Sequence, residues 1–159
     1  MLTSLSADTP EFEALRNLNN AHAQELSYAN EDRFRLLLER SFFAAAINGA
    51  DAFLIAFDQN ANYDSPNFLW FRSRFSKFIY IDRVVTDAAA RGRGHGAALY
   101  EALFQQARAA GHILVVCEVN EYPPNPASDA FHARLGFVQA GSAALPGGDK
   151  KVRYFVKEL

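Results

Sequence analysis

Residues 84–97 read Val-Val-Thr-Asp-Ala-Ala-Ala-Arg-Gly-Arg-Gly-His-Gly-Ala, and this stretch decides the fold. Residues 78–86, which lead into it, are rich in β-branched and aromatic side chains and predict a β-strand. Behind it, apolar residues recur at helical spacing as far as Gly111, which stops the helix. Residues 113–117 form an unbroken apolar run, as in a strand buried on both faces. Strand, glycine loop, helix and buried strand predict a right-handed crossover between two parallel strands.

The residues before this unit predict two helices and a hairpin. Residues 11 to about 24 carry apolar side chains at helical spacing, and Asn30 is a suitable N-cap for a second helix. The apolar runs 42–47 and 52–57 flank Asn48-Gly49, a dipeptide typical of a tight hairpin turn. These two runs therefore predict the first antiparallel strands of the sheet.

A loop and a further helix are predicted on either side of the crossover unit. The segment 58–67 is polar and contains a proline, which predicts a loop. A helix is predicted over residues 125–135, because Asn125 suits the N-cap and Pro126 the first helical position.

Two strands complete the predicted fold. Residues 137–140 and 152–156 are strand-like and surround the turn-forming sequence Pro146-Gly147-Gly148-Asp149. The predicted class is α/β with a mixed sheet, and the length of 159 residues predicts one domain over residues 1–159.

Composition excludes several classes of function. The sequence has 16 Lys plus Arg against 18 Asp plus Glu, a net charge of −2, so it lacks the positive field that non-specific nucleic-acid binding needs. It contains no apolar run of the ~20 residues that span a bilayer, and we expect no membrane or metal partner. Its one cysteine, Cys117, cannot form an internal disulfide, which favours a cytoplasmic protein.

The glycine loop has the properties of an anion site. A strand that ends in a glycine-rich turn at a helix start directs unpaired backbone N–H groups and a positive dipole end at one point. Gly92, Gly94 and Gly96 permit close backbone approach, and Arg91 and Arg93 add two cations. The alternative interpretation is an ordinary helix-start turn with solvated arginines.

Three phosphate-binding loops are candidates here. A Walker A loop is excluded, because the sequence has no matching string. The dinucleotide pattern G-x-G-x-x-G/A is matched by Gly92, Gly94 and Ala97, but only about sixty residues follow it, too few for a second mononucleotide-binding half. The third candidate is carried by Arg91-x-x-Gly94-x-Gly96, which resembles the acetyl-CoA signature R/Q-x-x-G-x-G/A of the GNAT acyltransferase superfamily.

A second motif supports that resemblance. Residues 125–137 read Asn-Pro-Ala-Ser-Asp-Ala-Phe-His-Ala-Arg-Leu-Gly-Phe, which is similar to the family's helix ending in Gly-Phe. The resemblance implies a single-domain GNAT fold, with a mixed central sheet flanked by helices and with parallel strands that splay around acetyl-CoA. It assigns contacts with that cosubstrate to Val84, Val85, Thr86, Arg91, Gly92, Arg93, Gly94, His95, Gly96, Ala97, Asn125, Ser128, Phe131 and His132.

The implied reaction is direct attack of a neutral amine on the thioester. A backbone N–H of Val84 or Val85 would hold the oxyanion. An ammonium substrate, with a pKa of roughly 9–10, must lose a proton, and the thiolate may gain one. The family's usual acid is a tyrosine, and His132 occupies its position here. His132 could instead only pack or hydrogen-bond, the thiolate could leave unaided, and Tyr122 is a second candidate acid.

Helical spacing gives the second-motif helix two faces. Asn125, Ser128 and His132 share one face, which we expect to line the site. The opposite face, formed by Ala127, Phe131 and Leu135, is predicted to be core.

Candidate bases lie on the two strands that should diverge. Asp82 and Glu118 could each remove the amine proton, or could instead face solvent or pair with Arg83. Glu118 is preferred slightly, because a charge directly after an apolar run is costly to leave unpaired. Asn120 is expected to orient a water or the substrate. Cys117 is interpreted as a small buried hydrophobic residue rather than a nucleophile.

The resemblance also implies an acceptor pocket built from the first helices and the central strands. Candidate lining residues are Ser27, Tyr28, Phe42, Trp70 and Phe71, although each aromatic could simply be core.

Three functions remain open. The leading one is an N-acetyltransferase acting on a primary amine of a small molecule, an amino acid or a peptide N-terminus. The alternatives are a non-catalytic acyl-CoA sensor or interaction module, and a nicotinamide-dependent enzyme. A homodimer could form through an edge strand near residues 152–156.

Overall fold

A seven-stranded mixed sheet organises the computed structural model, which describes residues 1–148 and 150–159, except for the side chain of Glu25. The strand order is β1-β2-β3-β4-β5-β7-β6. The strands are β1 (Leu2–Ser4), β2 (Phe43–Ile47), β3 (Ala52–Asp58), β4 (Ile79–Thr86), β5 (Leu114–Tyr122), β6 (Val138–Ala144) and β7 (Lys151–Glu158).

Helices cover both faces of the sheet, each over its own apolar cluster. They are α1 (Phe12–Ala21), α2 (Ala23–Leu26), α3 (Glu31–Arg40), α4 (Pro66–Arg72), α5 (His95–Ala109) and α6 (Pro126–Arg134). One cluster joins α1, α3 and α4 to the sheet, with Phe34 and Phe53 at its centre. The other joins α5 to the opposite face through Leu99 and Leu103. The predicted α/β layering is confirmed.

The predicted hairpin is present between β2 and β3. Its loop spans the four residues 48–51 rather than two, and Asn48 and Gly49 within it have positive φ values of 49° and 83°. The strands pair in the antiparallel sense, with Ile47 opposite Ala52. Asn30 also caps α3 as predicted, since its side chain accepts a hydrogen bond of 2.8 Å from the Arg33 amide.

The parallel strands β4 and β5 separate soon after they meet. Their pairing is limited to Ile79 with Val115 and Tyr80 with Val116, within the part of the chain that the structure describes. Because both strands continue for several residues beyond this point, the sheet opens between them toward their carboxyl ends. This opening confirms the predicted splay and positions the candidate site.

Some predicted boundaries were wrong. The single helix over residues 11 to about 24 is interrupted at His22, which separates α1 from α2. Pro66 begins α4 rather than lying in a loop, because proline is well tolerated at the first helical position. Ile113 is 72% exposed and precedes β5, so the strand buried on both faces starts later than predicted.

The predicted dimer edge was also wrong. Residues 152–156 lie in β7, which pairs with β5 on one side and β6 on the other, so they form no edge. The strands at the two edges are β1 and β6. Gly147 and Gly148 have positive φ values, as expected of a turn, whereas Asp149 of the same predicted turn lies outside the described residues. No helix in the described part of the chain is long and apolar enough to cross a membrane.

Candidate active site

Three connected cavities follow the opening between β4 and β5. The outer groove, about 660 Å³, lies between the end of β4, the start of α5 and α6. The junction cavity, about 140 Å³, lies between the diverging strands. The inner cavity, about 170 Å³, continues toward α2 and the β6–β7 loop. Neighbouring cavities share lining residues, so the three form one path from the surface into the sheet.

The outer groove begins at the glycine loop. Gly94 is the N-cap of α5, with φ of 77°, and Gly92 has φ of 80°. A Cβ atom added at either glycine would meet nothing within 4 Å, so a ligand can approach the backbone closely. No side chain caps this helix start, which leaves its first N–H groups to bind an anion.

The side chains that line the outer groove also favour an anion. Arg91, His95 and Arg134 are among its lining residues, and no carboxylate lines it within the described part of the chain. Arg93 is exposed and does not line the groove, unlike the other predicted cosubstrate residues. The groove therefore suits an extended ligand with a diphosphate group.

Helix α6 forms the other wall of the groove. Asn125 accepts a hydrogen bond of 3.2 Å from the Ser128 amide, which fixes the helix start. The predicted core face is only partly correct: Phe131 is half-buried and lies next to Gly96, but Ala127 is exposed and lines the groove.

His132 is the buried residue of α6, at 5% exposure, and both of its ring nitrogens have partners. Nδ1 lies 2.8 Å from the Ser128 carbonyl oxygen, which can only accept, so Nδ1 carries the proton. Nε2 lies 2.8 Å from the Tyr100 hydroxyl, and burial lowers the pKa of His132. The Tyr100 hydroxyl thus donates a hydrogen bond to Nε2 of the neutral ring. Direct donation to a thiolate, as predicted, needs a proton that Nε2 does not carry in this arrangement.

Glu118 lies on β5 between the junction cavity and the inner cavity. It is half-buried, and the Tyr80 hydroxyl donates a hydrogen bond of 2.7 Å to Oε1. Burial raises the pKa of Glu118 to about 8, and the Tyr80 hydrogen bond opposes this rise only in part. Such a carboxyl can accept a proton in the range where amine substrates become deprotonated.

Asp82, the other candidate base, is already engaged. Arg83 Nε donates to Oδ2 at 2.6 Å, and the Tyr63 hydroxyl donates to Oδ1 at 2.6 Å. Arg83 also donates to Asn19 of α1, and the Asp82 and Arg83 side chains are each only 4% exposed. Asp82 therefore stabilises the contact of β4 with α1 through Arg83. Glu118 is then the carboxyl along the path that has no cationic hydrogen-bond partner in the described residues.

A sequence model of the acetyltransferase (GNAT) family matches residues 12–137. The chain belongs to the acetyltransferase (GNAT) family. It is therefore an acyltransferase whose acyl donor is acetyl-CoA. The nicotinamide interpretation was wrong, because the glycine loop belongs to this fold and no second nucleotide-binding half follows it in the described chain.

Solved structures show the same GNAT fold. One is the ribosomal-protein-S18-alanine N-acetyltransferase from Escherichia coli, with TM-score 0.67 and 20% identity over 99% of this chain and 92% of that chain. Ard1 from Thermoplasma volcanium has TM-score 0.76 and 16% identity over 100% and 97%. An aminoglycoside 6'-N-acetyltransferase complexed with coenzyme A has TM-score 0.73 and 13% identity over 99% and 96%. No curated protein matches the chain at the sequence level.

The structure brings together most of the residues predicted for the GNAT site. Every predicted cosubstrate residue except Arg93 lines the outer groove. The four candidate catalytic residues, Asp82, Glu118, Asn120 and His132, line the junction cavity. Cys117 also lines it and is 3% exposed, and burial raises the pKa of its thiol, which fits a packing role. Tyr122 is 62% exposed and lines none of the three cavities.

The predicted acceptor pocket is mostly wrong. Ser27 lines the inner cavity, but Tyr28 is 66% exposed and does not. Phe42 packs against His112, with ring centroids 5.3 Å apart, and lines a separate cavity between α3 and β2. Trp70 stacks on Tyr154 at 4.1 Å, and Phe71 is fully buried. These three aromatic side chains serve packing, because their large apolar surface is more stable away from water.

Other lining residues were missed by the sequence analysis. Alternation along β4 places Tyr80 on the same face as Asp82, which could have identified Tyr80. Tyr100 follows Gly96 by one helical turn, and this spacing could have placed it beneath the loop. No local signal identifies several others, among them Leu26, Tyr63, Ser65, Asn67, Leu145, Lys150 and Val152 in the inner cavity, Ile81 and Val119 in the junction cavity, and Ala90 and Arg134 in the outer groove.

Proposed function

We propose that residues 1–159 act as one N-acetyltransferase domain that transfers the acetyl group of acetyl-CoA to a primary amine of a small molecule, an amino acid or a peptide N-terminus. The observation that carries this proposal is the path between β4 and β5, which leads from the outer groove to the Glu118 carboxyl, a group without a cationic hydrogen-bond partner in the described residues. Two similar structures support it, since they are an alanine N-acetyltransferase and an aminoglycoside 6'-N-acetyltransferase.

The outer groove would hold the donor mainly by main-chain contacts. The backbone N–H groups around Gly92 and Gly94, together with Arg91, suit the diphosphate. The edge of β4 at Val84 and Val85 is released from β5, so its free backbone groups can pair with the pantetheine arm. The thioester then lies where the groove meets the junction cavity.

Glu118 would prepare the acceptor. An ammonium ion in the junction cavity gives one proton to the Glu118 carboxylate, and the free amine attacks the thioester carbon. A pKa of about 8 suits this step, because the carboxyl can both take the proton and later release it to solvent. Asn120 lines the same two cavities as Glu118 and is placed to orient the amine or a water.

The edge of β4 would stabilise the negative charge on the carbonyl oxygen. Val84 and Val85 lie beyond Tyr80, the last residue of β4 that pairs with β5. One of their backbone N–H groups can therefore point into the opening between the two strands. A fixed N–H aimed at the developing oxyanion lowers the barrier without reorganisation. Val84 lines both the outer groove and the junction cavity, whereas Val85 lines only the groove.

Calorimetry with acetyl-CoA and a free-thiol assay test this function. The assay panel contains a polyamine, an aminoglycoside, free amino acids and a peptide with an N-terminal alanine. We expect acetyl-CoA to bind and at least one amine to release thiol, with the acetylated amine confirmed by mass spectrometry. Binding without turnover on every amine would instead support the sensor alternative, for which the reason is that His132 stands in place of the family's usual tyrosine.

A further inference from the structure

Tyr100 occupies the border between donor and acceptor. It is 1% exposed, lies on α5 and lines both the outer groove and the junction cavity. Only five described residues line both cavities, and these are Val84, Tyr100, Asn125, Ser128 and His132. A thioester that reaches from the groove toward Glu118 must pass this border. Tyr100 therefore lies where the sulfur of a bound thioester and the attacking nitrogen would meet.

The hydrogen bonds behind Tyr100 run in one direction. The Ser128 carbonyl oxygen accepts from His132 Nδ1, so the lone pair of Nε2 faces the Tyr100 hydroxyl. Tyr100 donates to Nε2, and its hydroxyl makes no other hydrogen bond to the described side chains. The oxygen lone pairs of Tyr100 stay free to accept a proton from the cavity.

We propose that Tyr100 and His132 form a proton shuttle, which carries a proton from the reacting amine nitrogen to the departing sulfur. This inference rests on the proposed function and adds to the step at Glu118. After attack, the new nitrogen–carbon bond leaves the nitrogen with a positive charge and one proton too many. That proton moves to Tyr100 Oη while the Tyr100 proton moves to His132 Nε2.

The return step balances the reaction. The carbon–sulfur bond breaks with its electron pair on sulfur. His132 Nε2 returns its proton to Tyr100 Oη, and Tyr100 gives a proton to the thiolate. The products are an amide and a free thiol, and both side chains regain their starting protonation. No proton is gained or lost overall in these two steps.

The charged and titratable surroundings of the pair suit this role. Burial raises the pKa of Tyr100 and lowers that of His132, so both are neutral at rest. Cys117 and Glu118 of β5 face Tyr100, while Asp129 of α6 acts on His132 and is itself paired with Arg153 of β7. The Ser128 carbonyl and Asp129 both favour the imidazolium that forms transiently.

Three variants test the shuttle: Tyr100→Phe, His132→Gln and the double variant. Glutamine keeps an acceptor for the Tyr100 hydroxyl but cannot take up a proton. We expect each single change to lower kcat by about 10²-fold, with little change in the acetyl-CoA Kd measured by calorimetry. The double variant should lose no more than about the larger single loss, since the two residues act as a unit.

Each outcome is decisive. A His132→Gln protein with wild-type kcat overturns the shuttle, and so do single losses that multiply in the double variant, because independent packing effects add as free energies. Should Tyr100→Phe fail to fold, His132→Gln still decides between proton transfer and packing. A wild-type protein that binds acetyl-CoA but acetylates no amine contradicts both the shuttle and the proposed function. Turnover that is unaffected by the variants contradicts the shuttle alone.

Discussion

The outer groove and the inner cavity lie along the same opening in the sheet but are built from different chemistry. The groove presents backbone N–H groups and cationic side chains, and its walls come from two short segments. The inner cavity presents the hydroxyls of Tyr63 and Tyr80 and the carboxyls of Asp82 and Glu118, drawn from many segments. Under the proposed function, the donor depends mainly on backbone groups that glycines with positive φ leave accessible, whereas acceptor choice depends on side chains from several segments.

The largest effect is expected from Gly94→Glu, which changes only the outer groove and should weaken acetyl-CoA binding. Its φ of 77° is unfavourable for any residue with a Cβ, and the new carboxylate would lie where the diphosphate binds. We expect acetyl-CoA affinity in calorimetry to fall by at least about 10³-fold, because an unpaired like charge in a binding site costs several kcal/mol.

The matched control is Gly147→Glu. Gly147 also has positive φ, at 97°, and open space around its Cβ position, but it lies in the β6–β7 turn and lines none of the three cavities. This variant should bind acetyl-CoA like the wild type. Equal affinity loss in both variants would show that strain and charge, rather than position in the groove, cause the effect.

Asp82→Asn is expected to have the next largest effect, on stability rather than on binding. It leaves the Arg83 guanidinium buried beside a neutral amide, and breaking a buried pair costs about 3–5 kcal/mol. The comparison is Asp129→Asn, which breaks the more exposed pair with Arg153 and should cost less than about 1 kcal/mol. Urea unfolding measures both free energies, and similar losses would contradict the bracing role of Asp82.

Glu118→Gln tests whether Glu118 is the base that deprotonates the amine. The variant keeps the shape of the side chain but cannot take the ammonium proton, so kcat/KM should fall by about 10²-fold. In the wild type, kcat/KM should rise as the pH increases toward about 8, because Glu118 ionises in this range. This rising limb of the pH profile should be absent from the variant. Glu121→Gln is the control, since Glu121 is exposed three residues further along the same strand. A retained limb near pH 8 would assign the base to another group.

The two regions also differ in how far the sequence predicts them. Residues 84–97 and 125–134 supply the groove, and each run carries its own turn and capping signals, so local chemistry identifies nearly all of its lining. Arg93 was assigned to the groove but does not line it, whereas Ala90 and Arg134 line it and were missed, because spacing alone does not show which side of a loop or helix faces a ligand.

The inner cavity depends on contacts between residues far apart in the sequence. Tyr63 reaches Asp82 and Tyr80 reaches Glu118 only after the sheet has formed. Aromatic type was a poor guide, since Trp70 and Phe71 belong to the core whereas the tyrosine hydroxyls line the cavity. Which aromatic residue faces a cavity is decided by tertiary packing, and no periodicity in a single sequence reports it.

A pH dependence of stability is also expected to originate at Glu118. Its pKa is about 8 in the folded protein and 4.5 in the absence of burial, so between these values the folded chain binds more protons than the unfolded chain. The free energy of unfolding must therefore decrease as pH rises from about 4.5 to about 8, and this contribution is absent from Glu118→Gln. We expect the difference in stability between wild type and variant to change in this direction between pH 5 and 8.5, by about 1.4 kcal/mol for each unit by which the folded pKa exceeds the unfolded pKa. Urea unfolding at the two pH values measures this difference, and other titrating groups cancel because both proteins contain them. An unchanged difference would mean that Glu118 ionises normally, and the inner cavity would then lack the base on which its contrast with the groove depends.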